Sequence, residues 1–483
     1  MNILFVFKSE NFLAPIGLCM ISAAARKAGH DCFLCEVNSQ DVFERIAAVK
    51  PGIIAYSSST GEVKHYLNLN RTIKARHPGL ITVMGGPHPT FFPEVADEAG
   101  LDAICVGEGE GAFVDIINAA AAGKGLSGIA NIRVPGQKKG EAVRGLVEDL
   151  DTLPFPDFRL LYDNTPMGKY PLKSIIASRG CPYDCTYCFN ASWRRIYEGK
   201  GPATRRHSVE YLIDEIDLVK RTWPLSFVKF YDDIFTYRAD DWLEKFSKLY
   251  PSRIGLPFFV LTRADLLTED MVKLLKQAGC HTISMSIEAG NPRLRETLLN
   301  RSMTNEQIVR AHRLCDRYGI YTFTNSILGL PTATIANEIE SVDLCIASRV
   351  TWSEFLIFHP YPATRLGQKT IDDGYYTPDY EKMHTSYMYR SPLNCFTERE
   401  KTVHMNLSVL GAVATTFPFL RTLIVRVLVY LPHNMIYTIA YYLTKMYVLR
   451  TRIYVTKTGF MNSVKIFMRS LRQEFFRHEN ARG

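Results

Sequence analysis

The sequence predicts an α/β protein with two successive series of alternating strands and helices and a mostly helical C-terminal extension. Short apolar runs alternate with amphipathic segments over residues 1–135 and again over residues 172–358. Residues 403–449 are unusually apolar and aromatic, with no such alternation. A chain of 483 residues also exceeds what one core usually supports, so we expect several domains.

The first series predicts a doubly wound, Rossmann-like parallel sheet over residues 1–148. Its expected strands are Ile3–Phe7, Asp31–Glu36, Gly52–Ser57, Leu80–Met84 and Ala103–Val106, with helical patterns such as Leu18–Ala28 and Val63–Arg76. Ligands of such sheets bind at the carboxyl ends of the strands. The polar or glycine-rich residues expected there are Ser57, Ser58, Thr60, Gly85, Gly86, Gly107 and Glu108. Paired glycines allow a large ligand to approach the backbone closely, and hydroxyls can bond its polar rim.

Residues 149–170 form a proline-punctuated connection to the second series. The second series predicts strands at Leu172–Ser178, Phe227–Tyr231, Pro257–Thr262, Thr282–Ile287, Thr322–Leu328 and Glu354–Phe358. Its helical patterns are Val209–Arg221, Asp241–Tyr250, Thr268–Ala278, Asn305–Tyr318 and Thr334–Ala347. Six strands are too few for a closed eight-stranded barrel.

Three closely spaced cysteines follow the first strand of this series. Cys181, Cys185 and Cys188 form a CxxxCxxC motif, with Tyr187 directly before the last cysteine. Three thiolates can hold three irons of a 4Fe–4S cube and leave the fourth iron open to a small molecule. A structural zinc site is the alternative, but it needs four ligands, and no second CxxC or HxxxH pair occurs.

This motif resembles the CxxxCxΦC signature of the radical S-adenosylmethionine (SAM) superfamily, in which Φ is aromatic. The resemblance implies a partial (β/α)6 barrel over residues 171–370, a 4Fe–4S cluster, and SAM bound at the open iron. The preceding loops, GGPHPT and GEGE, resemble the cobalamin-binding domain of one radical SAM subfamily. The DxHxxG loop of the wider cobalamin fold is missing, because the chain reads Lys8–Leu13 there. We therefore expect cobalamin bound base-off, without ligation by His65, His88 or another histidine.

The resemblance also implies roles for residues at the ends of the barrel strands. Asp232 and Asp233 are expected near the methionine amino group, since a carboxylate suits an ammonium. Arg263 is expected to pair with a carboxylate, and Glu288 to bind ribose hydroxyls. Tyr187 belongs to the cofactor-binding motif itself.

Two later segments complete the implied site. Gly329 and Pro331 lie in a stretch that resembles the one packing against adenine, where glycine permits close approach. Tyr361 lies in a turn resembling PYPGT and could enclose the substrate. Ala363 stands where glycine is usual in that turn.

The implied function is reductive cleavage of SAM to a 5′-deoxyadenosyl radical and C-methylation of an unactivated carbon. We expect a small-molecule substrate that is hydrophobic or lipid-like, and a low-potential electron donor such as flavodoxin or ferredoxin. One alternative is an oxidative cyclase of the anaerobic magnesium-protoporphyrin ester type. A second is a non-catalytic metal-binding module.

Composition adds the expected compartment and the character of the tail. The other eight cysteines lie in apolar segments and are expected in the core, so a reducing cytoplasm is predicted. The net charge of +8 is concentrated after Lys401, but no nucleic-acid motif occurs. Residues 371–483 either cap the barrel or lie on the inner face of the membrane.

Overall fold

The computed structural model describes residues 1–8, 14–98, 100–138, 140, 142–361, 363–378 and 388–456. Of the stretch Lys8–Leu13, all but Lys8 lies outside the described residues, as does Pro362. The described residues form two six-stranded sheets and one small two-stranded sheet.

The first sheet is doubly wound, as predicted. Its strands are β1 (Asn2–Phe7), β2 (Asp31–Glu36), β3 (Ile53–Ser57), β4 (Ile81–Gly85), β5 (Ala103–Cys105) and β6 (Ile132–Arg133). Its helices are α1 (Ile16–Lys27), α2 (Val42–Val49), α3 (Val63–Arg76), α4 (Pro87–Phe91) and α5 (Glu110–Ala121). The strand order is β2-β1-β3-β4-β5-β6, parallel except for β6. The order reverses between β1 and β3, where ligands of open α/β sheets bind.

The connection 149–170 contains helix α6 (Phe158–Tyr162), whose Tyr162 contacts the ring of Trp223. Leu160 and Leu161 are buried in the main core. Asp157 caps the helix and accepts hydrogen bonds from Ser22 and Arg26 of α1, at 2.7 and 2.6 Å. The connection is therefore fixed to the first domain.

The second sheet is an open partial barrel of parallel strands. The remaining strands of the chain are β7 (Leu172–Ile175), β8 (Ser178–Arg179), β9 (Arg205–Arg206), β10 (Phe227–Phe230), β11 (Phe258–Leu261), β12 (Cys280–Ser284), β13 (Tyr321–Leu328) and β14 (Trp352–Ile357). The barrel order is β14-β13-β12-β11-β10-β7, and β8 and β9 pair separately. The predicted (β/α)6 architecture is confirmed.

Helices cover the outside of these strands. They are α7 (Phe189–Ile196), α8 (Val209–Thr222), α9 (Asp241–Arg253), α10 (Glu269–Ala278), α11 (Asn305–Arg317), α12 (Ile335–Ala347) and α13 (Arg365–Asp372). Most begin at a serine, threonine or aspartate whose side chain accepts from a backbone N–H of the first turn. These caps explain why the helix starts were readable from the sequence.

The described part of the C-terminal extension covers the open side of the barrel. It contains α14 (Glu398–Thr416), α15 (Arg421–Arg426), α16 (Met435–Val448) and a π-turn, Leu449–Ile453. Lys445 of α16 reaches Glu354 inside the barrel at 2.7 Å. The hydroxyl of Thr282 donates to the carbonyl of Ile453 at 2.9 Å. Capping of the barrel is thus a role of these residues.

Two further findings concern the extension and the cysteines. No helix in the described ranges is both long and apolar enough to cross a bilayer. Of the eight cysteines predicted in the core, seven are buried. The prediction for Cys395 is wrong, because Cys395 is exposed in the turn before α14.

Candidate active site

A cavity of about 460 Å³ lies between the carboxyl ends of the first sheet and the mouth of the barrel. The first domain contributes, among others, Phe5, Tyr56, Ser57, Gly85, Gly86, Gly107 and Glu108. The barrel domain contributes, among others, Ser178, Arg179, Gly180, Phe189, Asn190, Trp193, Tyr231 and Asp233. The cavity therefore needs both domains, and it lies at the strand-order reversal of the first sheet.

Gly86 and Gly107, one in each loop at this edge, lie so close to other protein atoms that no side chain would fit. Gly86 has φ +99°, and a Cβ there would lie 2.8 Å from the backbone nitrogen of Ser58. Gly107 has φ +82°, and its Cβ would lie 2.0 Å from the hydroxyl of Tyr197, at the end of α7. The same hydroxyl accepts from the backbone N–H of Glu108 at 2.6 Å. The GEGE loop is thus docked closely on the barrel domain.

Two of the other predicted residues on this edge, Ser58 and Thr60, are not among the residues that line the cavity. Ser58 is fully buried, and its backbone bonds to Gly85 and His88. The hydroxyl of Thr60 lies 3.3 Å from Nδ1 of His88. Burial lowers the pKa of His88 to about 4, so this imidazole is neutral at pH 7. No histidine lines the cavity within the described ranges.

An ion-pair cluster that the sequence did not reveal joins the two domains. Arg205 reaches Glu108 at 2.6 Å, and Arg179 reaches Glu108 at 3.3 Å and Glu110 at 2.5 Å. Burial alone would raise the pKa of Glu108, but the two guanidinium groups lower it below its usual range. The carboxylate predicted to bind cofactor therefore already has two cationic partners from the barrel domain.

The cysteine loop is held on both sides by backbone contacts. Arg194 of α7 donates to the carbonyl oxygens of Cys181 and Tyr183 at 2.7 and 2.5 Å. The backbone N–H of Thr186 donates to the carbonyl of Leu299 at 3.1 Å. These bonds fix the loop between α7 and the π-turn Leu294–Leu298.

The three thiols lie in a partly apolar environment that disfavours a free thiolate. Cys185 is buried, and Cys181 and Cys188 are half-buried. Burial raises the pKa of Cys188 to about 12, a cost that a cationic metal centre offsets when it binds the thiolate. No three His, Cys, Asp or Glu side chains of the described chain surround a single-ion site. The three cysteines of a 4Fe–4S cluster each bind a different iron, so their thiols need not surround one common point.

Two guanidinium groups approach Cys185. Nη1 of the predicted Arg263 lies 3.9 Å from Sγ of Cys185, while its Nε and Nη2 bond to Asp265 at 3.0 and 2.9 Å. The second group is that of Arg301, which interacts with Cys185. The sequence analysis did not identify Arg301, because a single arginine after a turn is not part of any recognisable motif. Burial would lower the pKa of Arg301, but Tyr187 and Glu288 raise it. Both groups add positive charge beside the cysteine loop.

Glu288 combines burial with a strained backbone. Its φ is +64°, a region that non-glycine residues adopt at a cost of about 1–3 kcal/mol. The Tyr187 hydroxyl donates to Oε1 of Glu288 at 2.8 Å, and burial raises the pKa of this carboxyl. The structure therefore brings the motif tyrosine and the predicted ribose-binding residue into direct contact.

The neighbouring aspartates after β10 point in different directions. Oδ1 of Asp232 accepts from Ser178 at 2.6 Å, and burial raises the pKa of Asp232 to about 7. Oδ1 of Asp233 accepts from Asn190 at 2.8 Å, and Asp233 lines the cavity. Of the two predicted residues, Asp233 is thus the one facing the interdomain space.

The last predicted residues, Gly329, Pro331 and Tyr361, are not among the residues that line the interdomain cavity. Gly329 has φ +65°, and its N–H donates to Oε1 of Glu338 at 2.6 Å, while Pro331 is buried. The carbonyl of Tyr361 accepts from the Thr364 hydroxyl. Ala363, two residues before the first residue of α13, has φ +61°. This left-handed conformation explains why glycine is usual at that position.

Comparison with known proteins agrees with this architecture. Residues 3–117 match the B12 binding domain family, and residues 175–345 match the radical SAM superfamily. The chain is a radical SAM enzyme with a B12-binding domain.

Several relatives of this radical SAM enzyme match over much of their length. An uncharacterized methyltransferase of Pyrococcus horikoshii is 27% identical over 371 residues, 74% of this chain and 78% of that protein. The anaerobic magnesium-protoporphyrin IX monomethyl ester cyclase of Rubrivivax gelatinosus is 27% identical over 366 residues, 73% and 64% of the two chains. Hopanoid C-3 methylase of Methylococcus capsulatus is 27% identical over 291 residues, 57% and 54% of the two chains.

Among solved structures, the fold is similar to that of the radical S-adenosylmethionine methyltransferase TsrM of Kitasatospora setae. The TM-score is 0.66 at 18% identity, covering 87% of this chain and 89% of that one. The likeness extends beyond the two family matches into the C-terminal extension.

The cofactors of this enzyme are a 4Fe–4S cluster, SAM and cobalamin. The residues present fit them. Cys181, Cys185 and Cys188 supply three thiol donors on one ordered loop. The interdomain cavity joins the ligand-binding edge of the B12 domain to the barrel mouth, and Asp233 and Asn190 lie on its barrel side.

Proposed function

We propose that the enzyme transfers a methyl group derived from SAM to an unactivated carbon of a hydrophobic, lipid-like small molecule. The observation that carries this proposal is the interdomain cavity of about 460 Å³ that is bordered by the B12-binding edge and by the barrel mouth. When bound, the cofactors supply reductive cleavage of SAM and a methyl donor. The methylase and methyltransferase relatives support this reaction class.

The chain's own residues would orient the reactants and exclude water. Phe5, Phe113, Phe189 and Trp193 give the cavity an aromatic lining suited to an apolar substrate. Asp233, held by Asn190 at 2.8 Å, would orient an amino group by a charge-assisted hydrogen bond. Cys181, Cys185 and Cys188 would hold the cluster, and Tyr187 would fix Glu288 for hydroxyl recognition. Tyr361, at the end of the sixth barrel strand, would help to enclose the substrate.

The remaining assignments are part of the same proposal. Ser57, Gly85, Gly86 and Gly107 would border cobalamin, bound base-off without a histidine ligand. Arg263, Gly329 and Pro331 would border SAM. A flavodoxin or ferredoxin would supply the electron.

The test is an anaerobic assay with SAM carrying a deuterated methyl group, dithionite, methylcobalamin and a bacterial lipid extract. Methylation predicts a product that gains the labelled methyl group with wild-type enzyme and not with Cys185→Ala. The cyclase alternative, favoured by the Rubrivivax gelatinosus relative, predicts a product with altered hydrogen content and no label. Deoxyadenosine formed with label transfer to none of the extracted lipids would contradict the proposed substrate class.

A further inference from the structure

The described C-terminal helices carry a surface that is rich in exposed apolar side chains. Its side chains, called here the apolar face, are Phe419, Leu423, Val427, Tyr430, Leu431, Met435, Ile436, Ile439, Leu443, Tyr447 and Val455. Phe419 is 81% exposed, and Ile436 is 74% exposed. Outside this segment, large apolar side chains of comparable exposure in the described chain are scattered, and two of them, Phe189 and Tyr231, line the interdomain cavity. Exposed apolar surface of this kind marks an interaction site.

Helix α16 is apolar on opposite sides, and only one side is covered. Ile436, Ile439, Leu443 and Tyr447 recur every three or four residues and form one solvent-facing stripe. Tyr441, on the other side, packs against Trp352 of the barrel. A helix that is apolar all round is normally buried all round, whereas the outer stripe of α16 is not covered by any of the described residues.

The helix is fixed to the protein with this stripe outward. Lys445 bonds to Glu354 at 2.7 Å and to the hydroxyl of Tyr441 at 3.2 Å. The hydroxyl of Tyr437 donates to the carbonyl of Leu428 at 3.2 Å and ties α16 to the α15 segment. The apolar face is therefore a preformed surface on rigid elements.

The segment that carries the apolar face has only positive charges of its own, and the neighbouring Asp343 of α12 pairs with Arg421 at 2.6 Å. The sequence from Lys401 to Gln473 contains no aspartate or glutamate. Arg426 and Arg452 are exposed beside the apolar face. A cationic and apolar surface suits the anionic headgroups and outer acyl region of a lipid bilayer.

We propose that the apolar face lies on an anionic membrane surface, with α15 and α16 parallel to it. With 14 residues, α16 is about 21 Å long, shorter than the ~30 Å hydrocarbon core, which suits an interfacial helix. A second copy of the chain would bring like charges together across the same surface. The chain's own residues 457–483 also carry more lysine and arginine than glutamate, so they add positive charge and do not complement it.

This inference does not depend on the reaction that the enzyme catalyses. The test is co-sedimentation of the full-length holoenzyme with vesicles of equal parts phosphatidylcholine and phosphatidylglycerol, and with phosphatidylcholine alone. Wild-type protein is expected to bind the anionic vesicles at least about tenfold more tightly, with the preference weakening at high salt. Ile436→Glu with Leu443→Glu should abolish binding. Leu218→Glu on α8, where Leu218 is 44% exposed, should leave it unchanged.

Insertion is measured separately by a variant that keeps the surface apolar. Tryptophan fluorescence of Ile436→Trp should be quenched by brominated lipid, and that of Leu218→Trp should not. Iron content and thermal unfolding of each variant confirm that the fold is kept. Absence of binding to both vesicles, equal quenching of the two tryptophans, or a wild-type dimer in solution that Ile436→Glu dissociates would overturn the proposal. The last outcome would make the apolar face an interface between copies.

Discussion

Replacing Glu108 by glutamine tests whether the interdomain ion-pair cluster holds the B12-binding domain against the barrel. The Arg205 side chain is 2% exposed and that of Glu108 is 11% exposed, with 2.6 Å between nitrogen and oxygen. Opposite charges about 4 Å apart attract by about 4 kcal/mol at an effective dielectric constant of about 20. Removing one partner of a buried pair costs about 3–5 kcal/mol, because the other charge stays buried. Glutamine keeps an acceptor, so we expect a loss of about 3 kcal/mol in unfolding free energy.

The assay is urea unfolding of the holoenzyme, with Glu98→Gln as the matched control. Glu98 pairs with Arg71 at 3.4 Å, but both side chains are more than half exposed, and loss of that pair should cost at most about 1 kcal/mol. The pKa of Glu108 is lowered in the folded state. Its contribution is therefore complete above the unfolded pKa of about 4.3 and is lost as the pH falls through the lowered value. Equal losses for the two variants at pH 7 would refute the reasoning.

Three other predictions address the glycine loop, a buried histidine and the barrel interior. Gly107→Ala should lose cobalamin from the purified protein, as judged by the visible spectrum, because the new Cβ would clash with Tyr197. The control Gly125→Ala, which adds a Cβ in open space, should retain cobalamin. Combining Gly107→Ala with Tyr197→Phe should restore part of the lost cobalamin. Burial lowers the pKa of His312 from 6.5 to about 4, so unfolding takes up a proton at pH values between these two. The free energy of unfolding should therefore fall by roughly 3 kcal/mol as the pH is lowered from 6.5 to 4. His312→Leu should remove this contribution to the pH dependence. Lys445→Met removes the cation that pairs with Glu354 at 2.7 Å inside the barrel and leaves that carboxylate with the more weakly coupled Lys229. It should cost about 3 kcal/mol in thermal unfolding, whereas an unchanged melting temperature would contradict this role.

The strands and helices of both sheets were predictable because their signals are local. β2 runs over Asp31–Glu36 and α3 over Val63–Arg76, the same bounds as the sequence pattern gives. Apolar runs, short loops and capping residues lie within a few positions of each element. The two-stranded sheet at Ser178–Arg179 and Arg205–Arg206 carries no such signal, because each strand has two residues.

The site residues that lie close together in the sequence were predictable. The site contacts that join residues far apart in the sequence were not. Cys181, Cys185 and Cys188 were evident from the motif alone. The pairing of Arg205 with Glu108 joins residues 97 positions apart, and a pattern of neighbours cannot reveal it. The role of the tail was open for a similar reason, since the partner of Lys445 is on a strand 91 residues earlier.

The adjacent aspartates show an intermediate case. Asp232 and Asp233 follow a strand, and successive side chains of extended backbone point to opposite sides. The sequence led us to expect both near the methionine amino group, but only Asp233 lines the interdomain cavity, and Asp232 is buried against Ser178.

The central claim is that the three motif cysteines hold a cluster at which SAM is cleaved. The most direct measurement is 5′-deoxyadenosine formed by anaerobically reconstituted, dithionite-reduced protein, with iron and sulfide determined on the same samples. Wild-type protein and Cys395→Ala, which changes an exposed cysteine outside the motif, should contain a 4Fe–4S cluster and form deoxyadenosine, and Cys185→Ala should form none. Zinc without sulfide in the wild-type protein, or full activity in Cys185→Ala, would contradict the account.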